Sequence, residues 1–315
     1  MSSAVGLLIN TRSSRNPGMS SQLLDVARRH DSVRPYVLDG VDELPRAVAD
    51  MASTGVDTVV LGGGDGTTQA ALTETFNGRR FDNDPRFVAL PCGMTNVIAA
   101  DCGLQGSPLS SLDNFLWRRK RGEISAFERP LMSVRLTPKH PPTFGFFLGA
   151  GHFYTAVKFS REKVQAVGAR RSFALRLSVT AYVVKTALFD RGEKAPVVAE
   201  WIKDDGSSVR APTALLMMTT LHKLTGGIYP FWTTGAAPLR LTTIKHPPQK
   251  LLSAMMPVLS GKGASWLGDA GYASWSEDVV QVKLSEPFVY DGEIFHPHPE
   301  EPLTIDTTQR ACFLR

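Results

Sequence analysis

A glycine-rich segment with a carboxylate in its middle is the first feature of the sequence that points to chemistry. Gly62–Thr67 (Gly-Gly-Gly-Asp-Gly-Thr) follows an apolar run at residues 57–61 and precedes a helical pattern at residues 68–76. Glycines let a phosphate group come close to the backbone, and the amides at a helix N-terminus attract the anion. The segment therefore predicts a phosphate-binding turn at the carboxyl end of a strand, where open α/β sheets bind ligands.

Asp65 is an unusual residue for the middle of such a turn. A carboxylate beside phosphates is favourable if Mg²⁺ lies between them, or if the carboxylate accepts a proton from an attacking hydroxyl. The alternative is a tight turn in which Asp65 only caps the helix, but a cap alone does not need four neighbouring glycines. The dinucleotide fingerprint fails because Thr67 stands in place of the third glycine, and a Walker A motif fails because no lysine follows.

A second turn of similar composition follows the next apolar run, at residues 87–90. Gly93 permits close approach of a ligand, and Thr95 and Asn96 offer a hydroxyl and an amide at another helix N-terminus. The alternative for this turn alone is an ordinary β–α connection capped by Thr or Asn. Two such turns after successive strands favour a shared phosphate site.

The elements that must position these turns alternate along the first part of the chain. Apolar runs at residues 5–9, 33–38, 57–61 and 87–90 predict strands, and helices are expected from Ser20 or Ser21, from Asp42 and from Thr68. This alternation predicts an α/β domain with a parallel sheet. After Arg121-Gly122 the chain changes to short β-rich segments separated by Gly and Pro, with one helical pattern at residues 170–189.

Composition limits the class of protein. The chain has 315 residues, 43% of them hydrophobic, and 35 Lys and Arg against 30 Asp and Glu give a net charge of +5. These values exclude a disordered chain, and three scattered cysteines exclude a disulfide scaffold. Without a signal peptide or a spanning run, a cytoplasmic protein is expected.

The two glycine motifs together resemble those of a known family. Gly-Gly-Asp-Gly-Thr at residues 63–67, followed by Pro-x-Gly-x-Thr-Asn-x-x-Ala at residues 91–99, resembles the diacylglycerol kinase catalytic-domain superfamily. This group includes bacterial lipid kinases and the sphingosine and ceramide kinases, whereas NAD kinases share only the first motif. Residues 9–13, 225–230 and 290–293 resemble further segments of the same family, so the resemblance spans nearly the whole chain.

The resemblance implies a two-domain lipid kinase. It implies an α/β nucleotide-binding domain at residues 1–124 and a mostly β, sandwich-like acceptor-binding domain at residues 125–315, with Asp291–Glu293 returning to the cleft. The reaction would transfer the γ-phosphoryl group of ATP, with Mg²⁺, to the hydroxyl of a diacylglycerol-like or sphingoid lipid. The β domain also offers an edge strand for a homodimer.

The same resemblance implies roles for individual residues. Asp65 and Asp291 are the acidic candidates at the reacting centre; Asp65 is favoured for a water-mediated Mg²⁺ contact and Asp291 as base, although the sequence leaves these roles open. Asp-Gly at residues 291–292 is also a common hairpin turn. The nucleotide site would be lined by Asn10, Thr11, Gly62, Gly63, Gly64, Gly66, Thr67, Gly93, Thr95, Asn96 and Glu293.

Departures from the family pattern keep two alternatives open. Val97 stands where an acid often follows the Thr-Asn pair, and residues 149–154 and 235–239 lack acids that the family's second domain often has. The alternatives are a kinase for a soluble acceptor such as NAD, and a catalytically weakened nucleotide- or lipid-binding regulator.

Basic stretches suggest where a lipid kinase would meet its substrate. Residues 117–121 and 161–176 combine cations with aromatic residues, so they are expected either as solvated helix faces or as contacts to an anionic bilayer at the inner membrane surface. Nucleic acid is not an expected partner, because no recognition module accompanies the charge. Cys92, Cys102 and His152 are expected to be packing residues.

Overall fold

The computed structural model describes residues 4–12, 18–93, 95–167, 196–202 and 207–315. The helix predicted at residues 170–189 lies outside these ranges, as do residues 168–176 of the second basic stretch.

The first part of the chain alternates strands and helices as its apolar runs predict. Its elements are β1 (Ala4–Asn10), α1 (Met19–Ala27), β2 (Val33–Leu38), a 3₁₀ turn (Val41–Glu43), α2 (Leu44–Ser53), β3 (Val56–Gly62), α3 (Asp65–Gly78), β4 (Arg86–Ala89), α4 (Val97–Cys102) and α5 (Pro108–Lys120).

Two helix starts differ from the sequence-based expectation. Helix α1 begins at Met19 after Gly18, and the Ser21 hydroxyl donates a hydrogen bond to the Gly18 carbonyl instead of capping the helix. Helix α3 begins at Asp65 rather than Thr68. The loop between β3 and α3 is therefore only Gly63-Gly64, because the strand runs through Gly62 and the first helical turn includes Asp65.

The second part of the chain is mostly β structure. Its elements are β5 (Ala126–Pro130), β6 (Met132–Arg135), β7 (Thr143–Gly145), β8 (Phe147–Gly151), α6 (His152–Val167), β9 (Val197–Ile202), β10 (Ser208–Thr219), a 3₁₀ turn (Thr225–Gly227), β11 (Leu239–Lys245), α7 (Leu251–Leu259), a 3₁₀ turn (Ser265–Leu267), β12 (Tyr272–Glu277), β13 (Val279–Leu284), β14 (Phe288–Tyr290), β15 (Glu293–Phe295), β16 (Leu303–Asp306) and β17 (Arg310–Leu314).

Sheet A has the strand order β2-β1-β3-β4-β17-β5. Its pairs are parallel from β2 to β17, and β5 is antiparallel to β17. Strands β1, β3 and β4 are almost wholly buried, as expected for a parallel sheet covered on both faces. Strands β5 and β17 come from beyond residue 125, so both parts of the chain build this sheet; a domain division at that residue stays a prediction.

Sheet B is antiparallel and follows the order β15-β14-β8-β10-β9-β13-β16-β6-β7, with β11 and β12 attached to β10. The long strand β10 joins two arms, because its first half pairs with β9 and its second half with β8 and β11. Trp201 of β9 and Trp275 of β12 pack edge to face with ring centroids 5.4 Å apart, although their strands are not paired. The sheet thus folds over a common core, as in a sandwich.

Aromatic side chains join the two sheets. Phe144 and Phe146, from the β7–β8 region, pack in one cluster with Phe76 of α3, Phe87 of β4 and Phe313 of β17. Burial of each such side chain contributes about 1.5–3 kcal/mol to the free energy of folding. This shared core holds α3 of the α/β part against β7 of sheet B, and Gln69 of α3 also donates to the Tyr290 carbonyl at the end of β14.

Candidate active site

The end of β1 is tied to the first turn of α3. The Asn10 side-chain amide donates a buried hydrogen bond of 2.9 Å to the Thr67 hydroxyl, and the Asn10 oxygen accepts one of 3.0 Å from the Arg12 amide. Thr11, next in the chain, instead donates its hydroxyl to Asp39 at 2.9 Å. Asn10 and Thr67 therefore lie at the glycine turn, while the Thr11 hydroxyl faces the end of β2.

Asp65 is held by the second turn rather than by its own helix. One carboxylate oxygen accepts hydrogen bonds from the Thr95 hydroxyl at 2.6 Å and the Val97 amide at 3.1 Å, and the other accepts from the Ile98 amide at 3.0 Å. Burial raises the pKa of Asp65, and these three donors oppose that rise. The helix N-terminus that the sequence suggested for an anionic ligand thus binds a carboxylate of the protein.

The two glycine turns touch each other. A Cβ placed on Gly93 would lie 2.6 Å from the Gly64 Cα, closer than real Cβ atoms approach. The same Cβ would lie 3.1 Å from the side-chain oxygen of Asn96, whose backbone is left-handed with φ 50°. The turns after β3 and β4 therefore form one continuous surface that only glycine at position 93 permits.

Asp291 reaches the site on a hairpin. Asp291 and Gly292 are the two residues between β14 and β15, with φ values of 45° and 87°, as two-residue hairpins with positive φ require. The Asp291 carboxylate is buried and accepts hydrogen bonds of 2.9 Å from the amides of Phe146 and Phe147. The Asp-Gly pair is thus a hairpin turn, and this turn places the Asp291 carboxylate against the amides that precede and begin β8.

The two acidic candidates lie within electrostatic reach of each other. Burial raises the pKa of Asp291 well above its usual range, and the charge of Asp65 raises it further. The amides of Phe146 and Phe147 and the side chain of Gln69 oppose the rise. A carboxyl group in this state has an increased affinity for protons, as a general base needs.

Sequence reasoning missed Gln69. Its side-chain amide donates a buried hydrogen bond of 3.1 Å to the Tyr290 carbonyl, next to Asp291. Gln69 follows Asp65 by four residues on α3, so the two side chains share one helix face. That spacing is the signal that could have identified it.

Glu293 lies against the first glycine turn. A Cβ on Gly66 would come within 3.0 Å of a Glu293 carboxylate oxygen. The start of α3 and the β14–β15 hairpin thus bring three carboxylates, those of Asp65, Asp291 and Glu293, to the region of the turn.

The carboxylates fit a hydrated Mg²⁺ better than a metal cage. Within the described ranges, no group of three or more His, Cys, Asp and Glu is arranged to hold a metal by itself. Mg²⁺ commonly keeps several waters and binds through one or two carboxylates together with substrate phosphates. Carboxylates beside two touching glycine turns provide that donor set, with Asp65 closest to the turns.

The far end of α4 carries an ion pair that links the sheets. Asp101 is buried, binds the Arg129 guanidinium of β5 at 2.9 Å, and accepts a 3.3 Å hydrogen bond from the His222 amide. At the other end of α4, Val97 supplies its backbone amide to Asp65, so its side chain need not be acidic for this contact. Asp101 therefore holds α4 in place instead of substituting for the missing acid.

Other residues singled out in the sequence have structural partners. Cys92 and Cys102 lie in the hydrophobic cores, and burial raises the pKa of Cys92 to about 12. His152 is buried at the start of α6. In the basic stretch at residues 117–121, Arg119 pairs with Asp57 at 2.8 Å and Arg121 with Glu123 at 2.7 Å.

A cavity of about 740 Å³ opens at the opposite end of α3, between Asn77, Arg79, Phe81 and Arg135. Because α3 has 14 residues, this cavity lies about 20 Å from Asp65 along the helix. It is separate from the glycine turns.

Within the described ranges, no helix has the length and hydropathy needed to cross a bilayer.

The first part of the chain is similar to a known catalytic domain. Residues 5–125 match the family model of the diacylglycerol kinase catalytic domain, which confirms the resemblance expected from the glycine motifs. A comparison with curated proteins finds no match.

The fold is similar to that of two crystal structures from Bacillus anthracis str. Sterne. One is of a putative diacylglycerol kinase, at 14% identity and a TM-score of 0.63, and the other of a diacylglycerol kinase, at 13% and 0.61. Both alignments cover 98% of this chain and 96% of the other. They confirm the predicted fold, an α/β domain with a mostly parallel sheet followed by a mostly antiparallel β domain.

Proposed function

We propose that this protein is an ATP-dependent lipid kinase that phosphorylates the hydroxyl of a diacylglycerol-like or sphingoid lipid. The catalytic-domain match over residues 5–125 supports a kinase-like function. The observation that carries the proposal is the contact between the first turns of α3, which hold Asp65, and the β14–β15 hairpin, which holds Asp291: Gln69 donates to the Tyr290 carbonyl, and a Cβ on Gly66 would lie 3.0 Å from Glu293. The charge of Asp65 also raises the pKa of Asp291. Paired carboxylates with shifted proton affinities beside a phosphate-binding surface suit phosphoryl transfer.

The nucleotide would lie on the surface formed by the two turns. Gly64 and Gly93 let the two turns pack against each other, and the hydrogen bond between Asn10 and Thr67 holds the first turn in place. Gly62, Gly63, Gly66, Thr95, Asn96 and Glu293 line the same surface in this proposal. The position of Thr11, hydrogen-bonded to Asp39, suits the rim of the site rather than the phosphates.

Asp291 would act as the base. The acceptor hydroxyl oxygen forms a bond to the γ-phosphorus as the bond from that phosphorus to the β–γ bridging oxygen breaks. The hydroxyl proton passes to the Asp291 carboxylate, and ADP leaves with the bonding electron pair. The raised pKa of Asp291 favours this transfer, since a base works best when its pKa lies near the working pH.

Asp65 would hold a hydrated Mg²⁺ against the phosphates. Its three hydrogen-bond donors fix the carboxylate and oppose the rise in its pKa, so they favour the ionised form. When bound, Mg²⁺ neutralises charge on the transferring phosphoryl group. Asp65 is therefore assigned to the metal and Asp291 to the proton.

Aromatic residues beside Asp291 suit an acceptor with an apolar part. Phe147, whose amide binds the Asp291 carboxylate, packs on Phe153 of α6 with ring centroids 5.1 Å apart. Both rings are half-buried and so remain partly accessible. This apolar surface next to the base favours a lipid hydroxyl over a nucleotide ribose.

The test is ATP turnover by the purified full chain with diacylglycerol, sphingosine, ceramide and NAD as separate acceptors. Asp291→Asn should lower kcat about 10²- to 10⁴-fold, the usual contribution of a general base, and Asp65→Ala should abolish Mg²⁺-dependent turnover. Asp31→Asn, at an exposed acid remote from the turns, is the matched control and should behave as wild type.

Three results would contradict the proposal. Activity that survives both site substitutions would show that the residue assignment is wrong. Phosphorylation of NAD without any lipid product would make the protein a kinase of a soluble acceptor. Tight ATP binding without turnover on any acceptor would make it a regulator.

A further inference from the structure

Helix α7 exposes large apolar side chains to solvent. Ala254 and Val258 face the core, whereas Leu252 and Met256 are 74% and 70% exposed. These are the highest exposures of large apolar side chains among the described residues. Because Leu252 and Met256 are four residues apart, they project side by side from one face of the helix.

The segment around α7 has an unusual charge composition. Residues 206–268 contain six Lys and Arg and no Asp or Glu. Without this segment the chain has 29 Lys and Arg against 30 Asp and Glu, so the entire net positive charge comes from it. A charge balance this uneven along one chain indicates a surface that meets an anionic partner.

Three of these cations lie within a few residues of the exposed helix along the chain. Lys245 and Lys262 are exposed, and Lys250, directly before α7, places its ammonium 5.6 Å from the centre of the Trp266 ring. Trp232 packs in the same hydrophobic cluster, beside Gly263. Apolar side chains bordered by lysines and tryptophans are typical of helices that lie in a membrane interface.

We propose that this surface, made of Leu252, Met256, Lys245, Lys250 and Lys262, docks on an anionic lipid bilayer. Leu252 and Met256 enter the boundary between headgroups and acyl chains, and the lysines contact the anionic headgroups. The helix is nine residues long, about 14 Å, so it lies on the membrane and does not span it.

A second copy of this chain fits the surface less well. In a symmetric dimer each patch would face itself, which brings lysines against lysines. Nothing acidic in residues 206–268 would offset that repulsion.

The docking surface and Asp291 are connected through sheet B. Helix α7 packs in one cluster with Ala214 and Leu215 of β10; β10 pairs with β8, and β8 with β14, whose last residue, Tyr290, precedes Asp291. Docking through α7 would therefore bring the arm of the sheet that carries Asp291 to the bilayer. This inference rests on the proposed function for its purpose, because a lipid hydroxyl must reach that residue, but binding itself needs no catalysis.

The experiment is sedimentation of the full chain with sucrose-loaded vesicles, without nucleotide. Vesicles are either pure phosphatidylcholine or contain about 30% phosphatidylserine, which attracts cationic surfaces. Wild type should partition onto the anionic vesicles at least about tenfold more strongly. L252E/M256E should lower that partition at least about tenfold, and K250E/K262E should remove the preference for phosphatidylserine.

The matched control is V209E/V279E, which changes two apolar residues of sheet B that are 47% and 53% exposed. It should bind vesicles as wild type does. Equal binding by L252E/M256E and wild type would overturn the inference, as would equal binding to both vesicle types. A wild-type dimer that L252E/M256E converts to monomer, with vesicle binding unchanged, would show that the face is a self-interface.

The outcomes also separate this inference from the proposed function. Vesicle binding by wild type and by Asp291→Asn, without phosphorylation of any lipid, would leave docking correct and the kinase assignment wrong. Lipid phosphorylation in detergent micelles without vesicle binding would leave the kinase assignment correct and docking wrong.

Discussion

The contact between the two glycine turns gives the sharpest prediction about this site. In Gly93→Ala the new Cβ would lie 2.6 Å from the Gly64 Cα, whereas carbon atoms pack best at about 3.5–4.0 Å. One turn must therefore move by about 1 Å. Because the atom in the way belongs to the backbone, no side-chain rotation relieves the clash.

That movement would disturb the support of Asp65. The three groups that bind its carboxylate, on Thr95, Val97 and Ile98, follow Gly93 within five residues. A displacement of about 1 Å at a reacting centre costs about 10²-fold in rate, and overpacking costs about 1–3 kcal/mol of stability. We therefore expect Gly93→Ala to lower both kcat and the free energy of unfolding.

The assay pairs ATP turnover with denaturant unfolding and uses two comparisons. Gly64→Ala places its Cβ 3.4 Å from the Gly93 Cα, so its stability should fall less than that of Gly93→Ala. Gly268→Ala has no atom within 4 Å of the new Cβ and a helical backbone, and should be neutral. If Gly93→Ala keeps wild-type stability and turnover, the turns are not in the contact described.

Four further predictions concern the carboxylates. Gly145→Ala would place a Cβ 2.0 Å from an Asp291 carboxylate oxygen, so turnover should fall by at least about 10²-fold. Gly268→Ala is the control, and wild-type turnover by Gly145→Ala would contradict the packing described around Asp291. Asp101→Asn should lower the free energy of unfolding by more than about 1 kcal/mol, measured with urea, because the partly buried Arg129 guanidinium loses the buried carboxylate that pairs with it; a smaller loss would match a surface pair instead. Turnover should fall as the pH drops through the raised pKa of Asp291, because a base must be ionised. Asp65→Asn should lower the pKa of Asp291, measured by NMR titration, because it removes the neighbouring charge. An unchanged pKa would show that the two carboxylates do not interact.

Burial of Asp291 also has a consequence for stability. Its pKa is raised in the folded protein, so the folded state binds its proton more tightly than the unfolded chain does. The stability from this group is then fully present below the ordinary carboxyl pKa and is lost as the pH rises through the raised value. The site thus keeps a carboxylate whose ionisation destabilises the fold, as is common where function needs a shifted proton affinity.

The local elements of the α/β part could be predicted well because their signals are local. Strand β2 has the expected bounds, and β1, β3 and β4 differ by one or two residues. Buried parallel strands are continuous apolar runs, and the glycine turns follow them directly. The start of α3 was placed three residues too late, because Gly and Asp are poor helix formers and concealed the first turn.

The contacts of Asp65 could not be predicted from local sequence signals. Its place in a glycine turn suggested a metal contact, a proton acceptor or a cap of its own helix, and none of these expectations included the bonds that its carboxylate makes to the N-terminus of α4, over thirty residues away. The side chains of Asn96 and Val97 give no sign of this contact, because the backbone amide of Val97 makes it. A pattern of side chains does not reveal which backbone amide will donate a hydrogen bond. The sequence therefore could not predict that Asp65 binds the N-terminus of α4.

By itself, the sequence determined the fold class, the two glycine turns and the set of acidic residues worth testing. Each depends on neighbours within a few positions, where periodicity and turn chemistry act. Only the tertiary structure decided that Asp291 lies beside Asp65, that Gly64 touches Gly93, and that Leu252 and Met256 face solvent. Proximity between distant positions and exposure of an apolar helix depend on how sheets A and B pack, and the shared aromatic core that fixes this packing is assembled only when the chain folds.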